Sequence, residues 1–443
     1  KAGGICVTTM QLLRARELVY IVEKAEVRHA LCDISLAEAM EETITRKPEL
    51  AETLYFTATG GGDASLDKAV AGKTGGFQNC DTAADDTALI AFTSGTTGTP
   101  KATMHFHRDV IAMCDCFPRS FGMAEPHDIF TGTPPLAFTF GLGGLTCFPM
   151  RFGASTRFFP APLSPEDMMA AIEKYKITSI YTAPTMYRLL AELADKYDIS
   201  SLEKCVSAGE TLPKAIWEAF HKATGIRIVD GLGSTEMIHI FVAASREDMR
   251  PGFTGKAIPG YRAKIVDEDG NDLGPNQPGL LAVKGPTGCR YLADDRQKVY
   301  VKDGWNFPGD MYEMNEEGYF RYVARVDDMI ISAGYNISGP EVEVALIDHE
   351  AVAECAVIGK PDEKRTNIVK AFVVLHDGFG ATDETTKSLQ DFVKNEIAPY
   401  KYPREIEFVT ELPKTETGKL QRFRLRDQEK TPPRPDIPAQ KGG

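Results

Sequence analysis

The chain has no apolar run approaching the roughly 20 residues that span a bilayer, so nothing in it reads as a transmembrane helix. It has no basic excess either. Fifty Lys and Arg against 63 Asp and Glu leave a net charge of −13, which argues against general nucleic-acid binding while leaving room for a local cationic patch. It also lacks a disulfide framework: nine cysteines, an odd number, are scattered through stretches such as Leu31-Cys32 and Thr146-Cys147-Phe148, as suits a thiol-reducing cytoplasm. Cys114-Asp115-Cys116 has no second pair or histidine cluster to accompany it and reads as buried thiols rather than metal ligands. There is no charged-then-apolar leader and no internal repeat. The chain opens without methionine on the small-residue turn Lys1-Ala2-Gly3-Gly4-Ile5, so the expectation is a piece cut from a longer protein.

What is present is ordinary globular material. At about 150 residues per domain, 443 residues predict two or three domains, and 43% hydrophobic with 26% charged residues excludes disordered and collagen-like chains. Helix-like stretches Ala15–Glu26 and Leu36–Thr45 alternate with short β-like runs up to residue 56. Thr59–Asp63 is a glycine-rich loop. From Thr87 to Asp230, apolar strands (Ile177–Thr182, Lys204–Ser207) alternate with amphipathic helices (Met186–Tyr197), the pattern of a helix-covered, mostly parallel sheet. Beyond about residue 250 the pattern turns antiparallel: strands Tyr261–Val266 and Gly279–Lys284 flank one polar turn, and Tyr312–Met314 and Tyr319–Arg325 flank another. A second α/β unit begins near Asp327, with helices Glu341–Asp348 and Lys387–Glu396 and strands Cys355–Ile358 and Ala371–Leu375. The predicted fold class is therefore α/β: a large domain over 1–326 with a β subdomain, a small α+β domain over 327–430, and a proline-rich flexible tail over 431–443.

Four clusters carry chemistry. Thr93-Ser94-Gly95-Thr96-Thr97-Gly98-Thr99-Pro100-Lys101 follows the apolar strand Ala88–Phe92. Its glycines, hydroxyls, amides and lysine suit a polyphosphate better than the alternative of a plain surface loop. It is not the P-loop of NTPases, because Pro100 stands where that motif needs glycine. Asp230-Gly231-Leu232-Gly233-Ser234-Thr235-Glu236 ends in a hydroxyl and a carboxylate. Glu236 is a candidate ligand for the Mg²⁺ of a nucleotide, or Ser234 simply caps a helix. Asp310, Tyr322 and Arg325 suit a ribose, or form a salt bridge in a β hairpin. Leu412–Leu420 presents Lys419 beside Gly418, as a cation delivered to developing charge would be, with a solvated lysine as the bland reading.

Together and in this order the clusters resemble the adenylate-forming superfamily of acyl-CoA synthetases, peptide adenylation domains and firefly-type luciferases, from Lys1 to about Arg424. Thr93–Lys101 and the run Arg325-Val326-Asp327-Asp328-Met329-Ile330 with Gly334-Tyr335 are the most specific matches. The resemblance implies that Thr93, Ser94, Gly95, Thr96, Thr97, Gly98 and Lys101 cradle the phosphates of ATP. It sets Gly209, Glu210 and Thr211 against one adenine face and Asp230, Gly231, Leu232, Gly233 and Ser234 against the other. Thr235 then lies at the α-phosphate, Glu236 near Mg²⁺, Asp310 and Arg325 at the ribose, and Tyr322 on the adenine. Lys419 acts in adenylation, Asp327 is the hinge, and Gly334 faces the thiol tunnel. Pro308, Ala324 and Ile331 depart from the usual threonine, glycine and lysine without removing a catalytic group. Members of the family begin well before the equivalent of Lys1, so the large domain is expected to lack its first part.

The resemblance also implies the substrates: a carboxylic acid, ATP and coenzyme A. Phe138, Thr139, Phe140 and Gly141 sit where the family lines its acyl pocket, and Tyr181–Thr185 supplies another edge. Phe140, His239 and Ile240 make a short slot with an aromatic face and one polar handle. Gly231–Phe241 is especially similar to benzoate- and 2-aminobenzoate-type CoA ligases, so a flat acid is favoured over a medium-chain one. Ordinary core packing is the competing account of Phe138, Phe140 and His239. Two other classes stay in view: a module loading carrier-protein phosphopantetheine, and a non-catalytic nucleotide-binding relative. A homodimer is left open as the quaternary state.

Overall fold

The computed structural model describes residues 2–50, 52–57, 62–93, 100–159, 163–332, 335–362, 365–397, 399–414 and 420–430. The chain divides into two compact units. One comprises 1–277, 281–308 and 314–321; the other comprises 278–280, 309–313 and 322–443.

The first unit is organised by a seven-stranded sheet in the spatial order Lys256–Ala257, Ile240–Ala243, Ile228–Gly233, Lys204–Ala208, Ser179–Thr182, Ile129–Gly132, Ser155–Thr156. The five strands from Ile228–Gly233 to Ser155–Thr156 pair in parallel, and the two at the other edge pair antiparallel. Each parallel crossover needs a helix, and the sequence supplies them with explicit ends. Pro165 and Pro184 open two of these helices at positions whose N–H would be unpaired anyway. Gly225, in the left-handed conformation, closes the third, Lys214–Thr224. Their apolar faces meet the sheet in a core holding Met168, Ile172, Ile180, Tyr187, Trp217 and Phe220. The Tyr187 hydroxyl is buried there and donates to the Val206 carbonyl at 3.0 Å. A three-stranded sheet runs Cys6–Thr8, Thr87–Thr93, Lys101–Phe106, and a parallel pair joins His29–Asp33 to Glu52–Phe56.

The second unit has the long antiparallel pair Val352–Asp362 and Thr366–Leu375, with Glu405–Phe408 added in parallel. Ile330, Val342, Leu346, Val357, Val373 and Leu389 fill one side of it. Helix Arg422–Lys430 covers the other side, burying Leu425 near Phe372 and Leu412. Among the described residues no helix is long and apolar enough to cross a membrane.

The helix expected over Met186–Tyr197 begins earlier, at Pro184, and ends at Leu193 in a tighter turn over Ala194–Lys196. Gly143–Cys147, which sequence periodicity did not mark, forms a turn of π-helix joined to short helices on both sides.

Candidate active site

Strands Thr87–Thr93 and Lys101–Phe106 pair so that Thr93 lies opposite Lys101. The predicted phosphate segment thus links two adjacent strand ends, although Ser94, Gly95, Thr96, Thr97 and Gly98 fall outside the described residues. The Tyr20 hydroxyl donates to the Pro100 carbonyl at 3.0 Å and fixes the re-entry to Lys101. The Lys101 ammonium lies 3.2 Å from the Glu236 carboxylate. It donates to the Tyr291 hydroxyl at 2.8 Å, and that hydroxyl donates to Glu236 Oε1 at 2.7 Å. Glu236 is only 7% exposed. Two motifs far apart in sequence therefore meet at one buried carboxylate.

Ser234 does cap a short turn, accepting from the Met237 amide at 3.2 Å, so the bland reading of this motif describes real geometry. Capping and the predicted role of Glu236 are compatible, since the turn Thr235–Met237 carries Glu236 inward. The Ser234 hydroxyl also lies 3.2 Å from that of Tyr300. Tyr291 and Tyr300 belong to no motif found in the sequence. Residues 290–292 run beside Lys101–Phe106, with the Met104 amide bonded to the Arg290 carbonyl and the Leu292 amide to Ala102. A strand-pairing argument was the one signal that could have found them.

Sheet register explains how the two predicted adenine walls come together. Asp230 pairs with Ser207 and Gly231 with Ala208, so the segments continuing from each strand leave the sheet side by side. One begins at Gly209, whose φ of +87° favours glycine, and continues through the exposed Glu210 and Thr211. The other is Leu232–Ser234. A Cβ at Gly233 would stand 2.7 Å from the His239 carbonyl oxygen, so this crossing needs glycine.

Asp230 faces a small cleft lined by Leu212, Trp217, Ile228 and Thr254. Burial pushes its carboxyl up to about 7, against the lowering effect of the Thr254 hydroxyl. The folded state thus binds this proton more tightly than the unfolded chain, whose aspartate titrates near ~3.9. The stability so contributed is full below about pH 4 and lost as pH rises through 7. Asp230→Asn, which keeps the neutral form, is expected to melt about 2–4 °C above the parent at pH 8, as for 1 kcal/mol in a domain of this size. The gap should close at pH 4, and a gap independent of pH in calorimetry would contradict the assignment.

In the second unit, Arg325 Nη1 lies 3.1 Å from the buried Asp310 carboxylate, the hairpin salt bridge considered above. Gly309, with φ of +84°, turns the chain before it, and the Val326 amide bonds to its carbonyl. Tyr322 packs edge-on against Tyr312 at 5.5 Å, and burial raises its phenol well above the usual value. Asp327 lies in the helical turn Val326–Asp328. Lys419 and Gly334 fall outside the described residues. The segment carrying Lys419 is nonetheless bracketed: Lys414 pairs with Leu420, and the Gln421 amide bonds to Pro413 at 2.8 Å.

The predicted acyl residues separate into two groups. Phe140 lies with its ring 5.8 Å from His239 and 5.7 Å from Tyr181, while Thr139 is buried in the same short helix and Gly141 lies against the Pro134 and Pro135 backbone. Phe138 is 38% exposed. His239 is buried and walled by Phe117, Phe140 and Phe148, with the Phe140 backbone beside its ring. Burial lowers it to about 3, so the imidazole is neutral at physiological pH. The Tyr181 hydroxyl is buried and has no hydrogen-bond partner among the described residues. Gly143, the end of the segment Ala137–Gly143 expected at the acyl pocket, and Gly144, missed in the sequence, lie against these two rings: added Cβ atoms would come within 2.4 Å of His239 and 2.5 Å of Tyr181. Ile240 packs against Gly231, so the strand carrying the slot also backs the glycine turn.

The donor set suits a magnesium nucleotide. Glu236 offers a hard carboxylate oxygen, since its hydrogen bonds among the described residues fall on Oε1 and leave Oε2, and Lys101 stands beside it for phosphate.

The family described as AMP-binding enzyme matches residues 1–291, and the AMP-binding enzyme C-terminal domain matches 341–419. The benzoate–CoA ligase of Thauera aromatica is 35% identical over 431 residues, covering 96% of this chain and 81% of that protein. A mitochondrial acyl-coenzyme A synthetase of Mus musculus is 32% identical, with 97% of this chain and 76% of the relative covered. Among solved structures, an anthranilate CoA ligase in complex with anthranoyl-AMP superposes with a TM-score of 0.87 at 34% identity, covering 96% of this chain and 83% of that one. The chain belongs to the AMP-binding enzyme family, in both its large region and its C-terminal domain.

Proposed function

We propose that this AMP-forming ligase activates a small aromatic carboxylate of the benzoate or 2-aminobenzoate class and transfers it to coenzyme A. The observation that carries the reading is the aromatic cluster around His239: Phe117, Phe140 and Phe148 about a neutral imidazole, with glycines at 143 and 144 whose missing side chains let the backbone lie directly against the rings. Such walls match the face of an aryl ring and offer one polar handle for a ring substituent. The similarity to benzoate–CoA and anthranilate CoA ligases supports the same class.

A carboxylate is a poor acyl donor because oxide is a bad leaving group. In the first half-reaction a carboxylate oxygen attacks the α-phosphorus of ATP and pyrophosphate leaves. In the second, the CoA thiol attacks the acyl carbon, loses its proton, and AMP departs with the electron pair of the broken C–O bond. Charge develops on phosphoryl oxygens in the first step, so the protein acts by positioning and electrostatic stabilisation. Lys101 and the loop before it take the phosphates, Thr235 the α-phosphate, Asp310 and Arg325 the ribose, and Lys419 the oxygens between carboxylate and phosphorus. Glu236, together with ATP oxygens, would hold Mg²⁺, which when bound would supply neutralisation of the phosphate charge. Rotation about Asp327 withdraws Lys419 and brings Gly334 toward the thiol, so one small domain serves both half-reactions. We place the activity in the cytoplasm, which the nine free cysteines suit.

The test is a panel of benzoate, 2-aminobenzoate, 3-hydroxybenzoate, hexanoate and octanoate, assayed for ATP- and CoA-dependent thioester formation. At least one aryl acid is expected to exceed both alkyl acids about tenfold or more in kcat/KM, the range that pocket fit confers. Preference for octanoate over every aryl acid would instead support a medium-chain acyl-CoA synthetase. Turnover with a phosphopantetheinylated carrier protein but not with CoA would support the carrier-loading alternative.

A further inference from the structure

Glu236, Lys101 and Tyr291 form a directed chain rather than a simple ion pair. Lys101 donates to the Tyr291 hydroxyl at 2.8 Å, and Tyr291 donates onward to Glu236 Oε1 at 2.7 Å. Tyr291 is 4% exposed and is held on several sides. Its backbone pairs with Thr103, its amide donates to Gln297 at 2.7 Å, and Gln297 returns a bond to the Cys289 carbonyl at 3.0 Å. Tyr300 packs edge-on to its ring at 5.8 Å. A buried carboxylate that loses its partner loses its orientation and bears the full cost of desolvation. Lys101 must share its three N–H donors among Tyr291, Glu236 and a phosphate. The phenol can remain on Oε1 throughout.

We propose that Tyr291 is a positioning residue of the metal–nucleotide site, its hydroxyl holding Glu236 so that Oε2 meets the metal and keeping it there when Lys101 turns to the phosphates. The inference rests on the reading of Glu236 as metal ligand and Lys101 as phosphate cation. Groups that orient a ligating side chain from behind are commonly worth 10–100-fold in metal affinity. Tyr291→Phe removes one oxygen and keeps the ring packing.

The experiment measures Mn²⁺ affinity by electron paramagnetic resonance, with the full chain and saturating α,β-methylene-ATP, alongside the Mg²⁺ dependence of adenylate formation. Tyr291→Phe is expected to weaken Mn²⁺ about tenfold and to raise the half-saturating Mg²⁺ by a similar factor. Its kcat at saturating Mg²⁺, and thioester formation from supplied acyl-adenylate, should stay within about threefold of the parent, a split that mere loss of folding would not give. Unchanged Mn²⁺ affinity in Tyr291→Phe, with Glu236→Gln weakened, overturns the inference alone. Unchanged affinity in Glu236→Gln as well overturns its premise with it. Tyr291→His supplies an independent check should Tyr291→Phe fold poorly: its ring N–H can still donate toward Glu236, so Mn²⁺ affinity should stay well above that of Glu236→Gln, and a loss as large as that of Glu236→Gln overturns the inference.

Discussion

Lys419→Ala is expected to reduce adenylate formation by on the order of 10²–10³-fold, the cost of removing one preorganised donor to developing charge, while leaving thioester formation from supplied acyl-adenylate nearly unchanged. The difference arises because the two half-reactions place charge in different positions. In adenylation, negative charge gathers on the α-phosphoryl oxygens as two anions are brought together, and a compact ammonium aimed between them acts mainly in the transition state. In thiolysis the acyl carbon is attacked and AMP departs, and the proposed rotation about Asp327 has by then withdrawn Lys419. The bracketing of the segment suits delivery of a lysine. Lys414 and Leu420 pair across its base, and helix Arg422–Lys430 follows at once, with Arg422 within 2.9 Å of Glu343 and 3.3 Å of Asp328. Pyrophosphate–ATP exchange reports the first half-reaction, and release of AMP from synthetic acyl-adenylate with CoA reports the second. Equal loss in both would reject the division of labour.

The legibility of this protein in its sequence followed local signals. The parallel sheet could be read because Ile177–Thr182 and Lys204–Ser207 are short β-type runs between helices, two of which open on proline and one of which closes on glycine. Those signals survive folding almost unshifted, as strands Ser179–Thr182 and Lys204–Ala208. Lys101 and Glu236 could be nominated because each belongs to a run whose glycines and hydroxyls have a chemical reason to be together. The strut between them could not, since Tyr291 reaches Glu236 only through the pairing of residues 290–292 with strand Lys101–Phe106. Nor could the elevated Asp230 carboxyl, which depends on a cleft built from Leu212, Trp217 and Thr254. Phe138 and Phe140 illustrate the same limit, because two aromatics one residue apart look equivalent until the chain enters a helix at Thr139 and sends them to different surroundings.

Gly143→Ala is expected to abolish most activation of aryl acids, lowering kcat/KM by about 100-fold or more, with the KM for ATP nearly unchanged. The added methyl would stand 2.4 Å from His239 Cδ2 and 2.8 Å from Nε2, far inside van der Waals contact, so the imidazole must move. Its retreat is closed on several sides: Phe148 meets it edge-on at 4.6 Å, Phe117 stacks on it at 5.9 Å, and Gly233 lies against its carbonyl. Displacement toward Phe140 narrows the slot between Phe140, Tyr181 and His239. Overpacking of a well-filled core typically costs about 1–3 kcal/mol in stability, so the variant should melt lower and still fold. On the proposed reading a flat acid loses its place, whereas the residues proposed for ATP, Lys101, Glu236 and the Asp230–Ser234 segment, are not touched by the methyl. Isothermal titration with the acid alone, and kinetics with each substrate varied in turn, separate the two effects. An alanine variant that activates benzoate at the parental rate would show that the aryl ring lies elsewhere, and the reading of Phe140, His239 and Ile240 as substrate walls would fall with it.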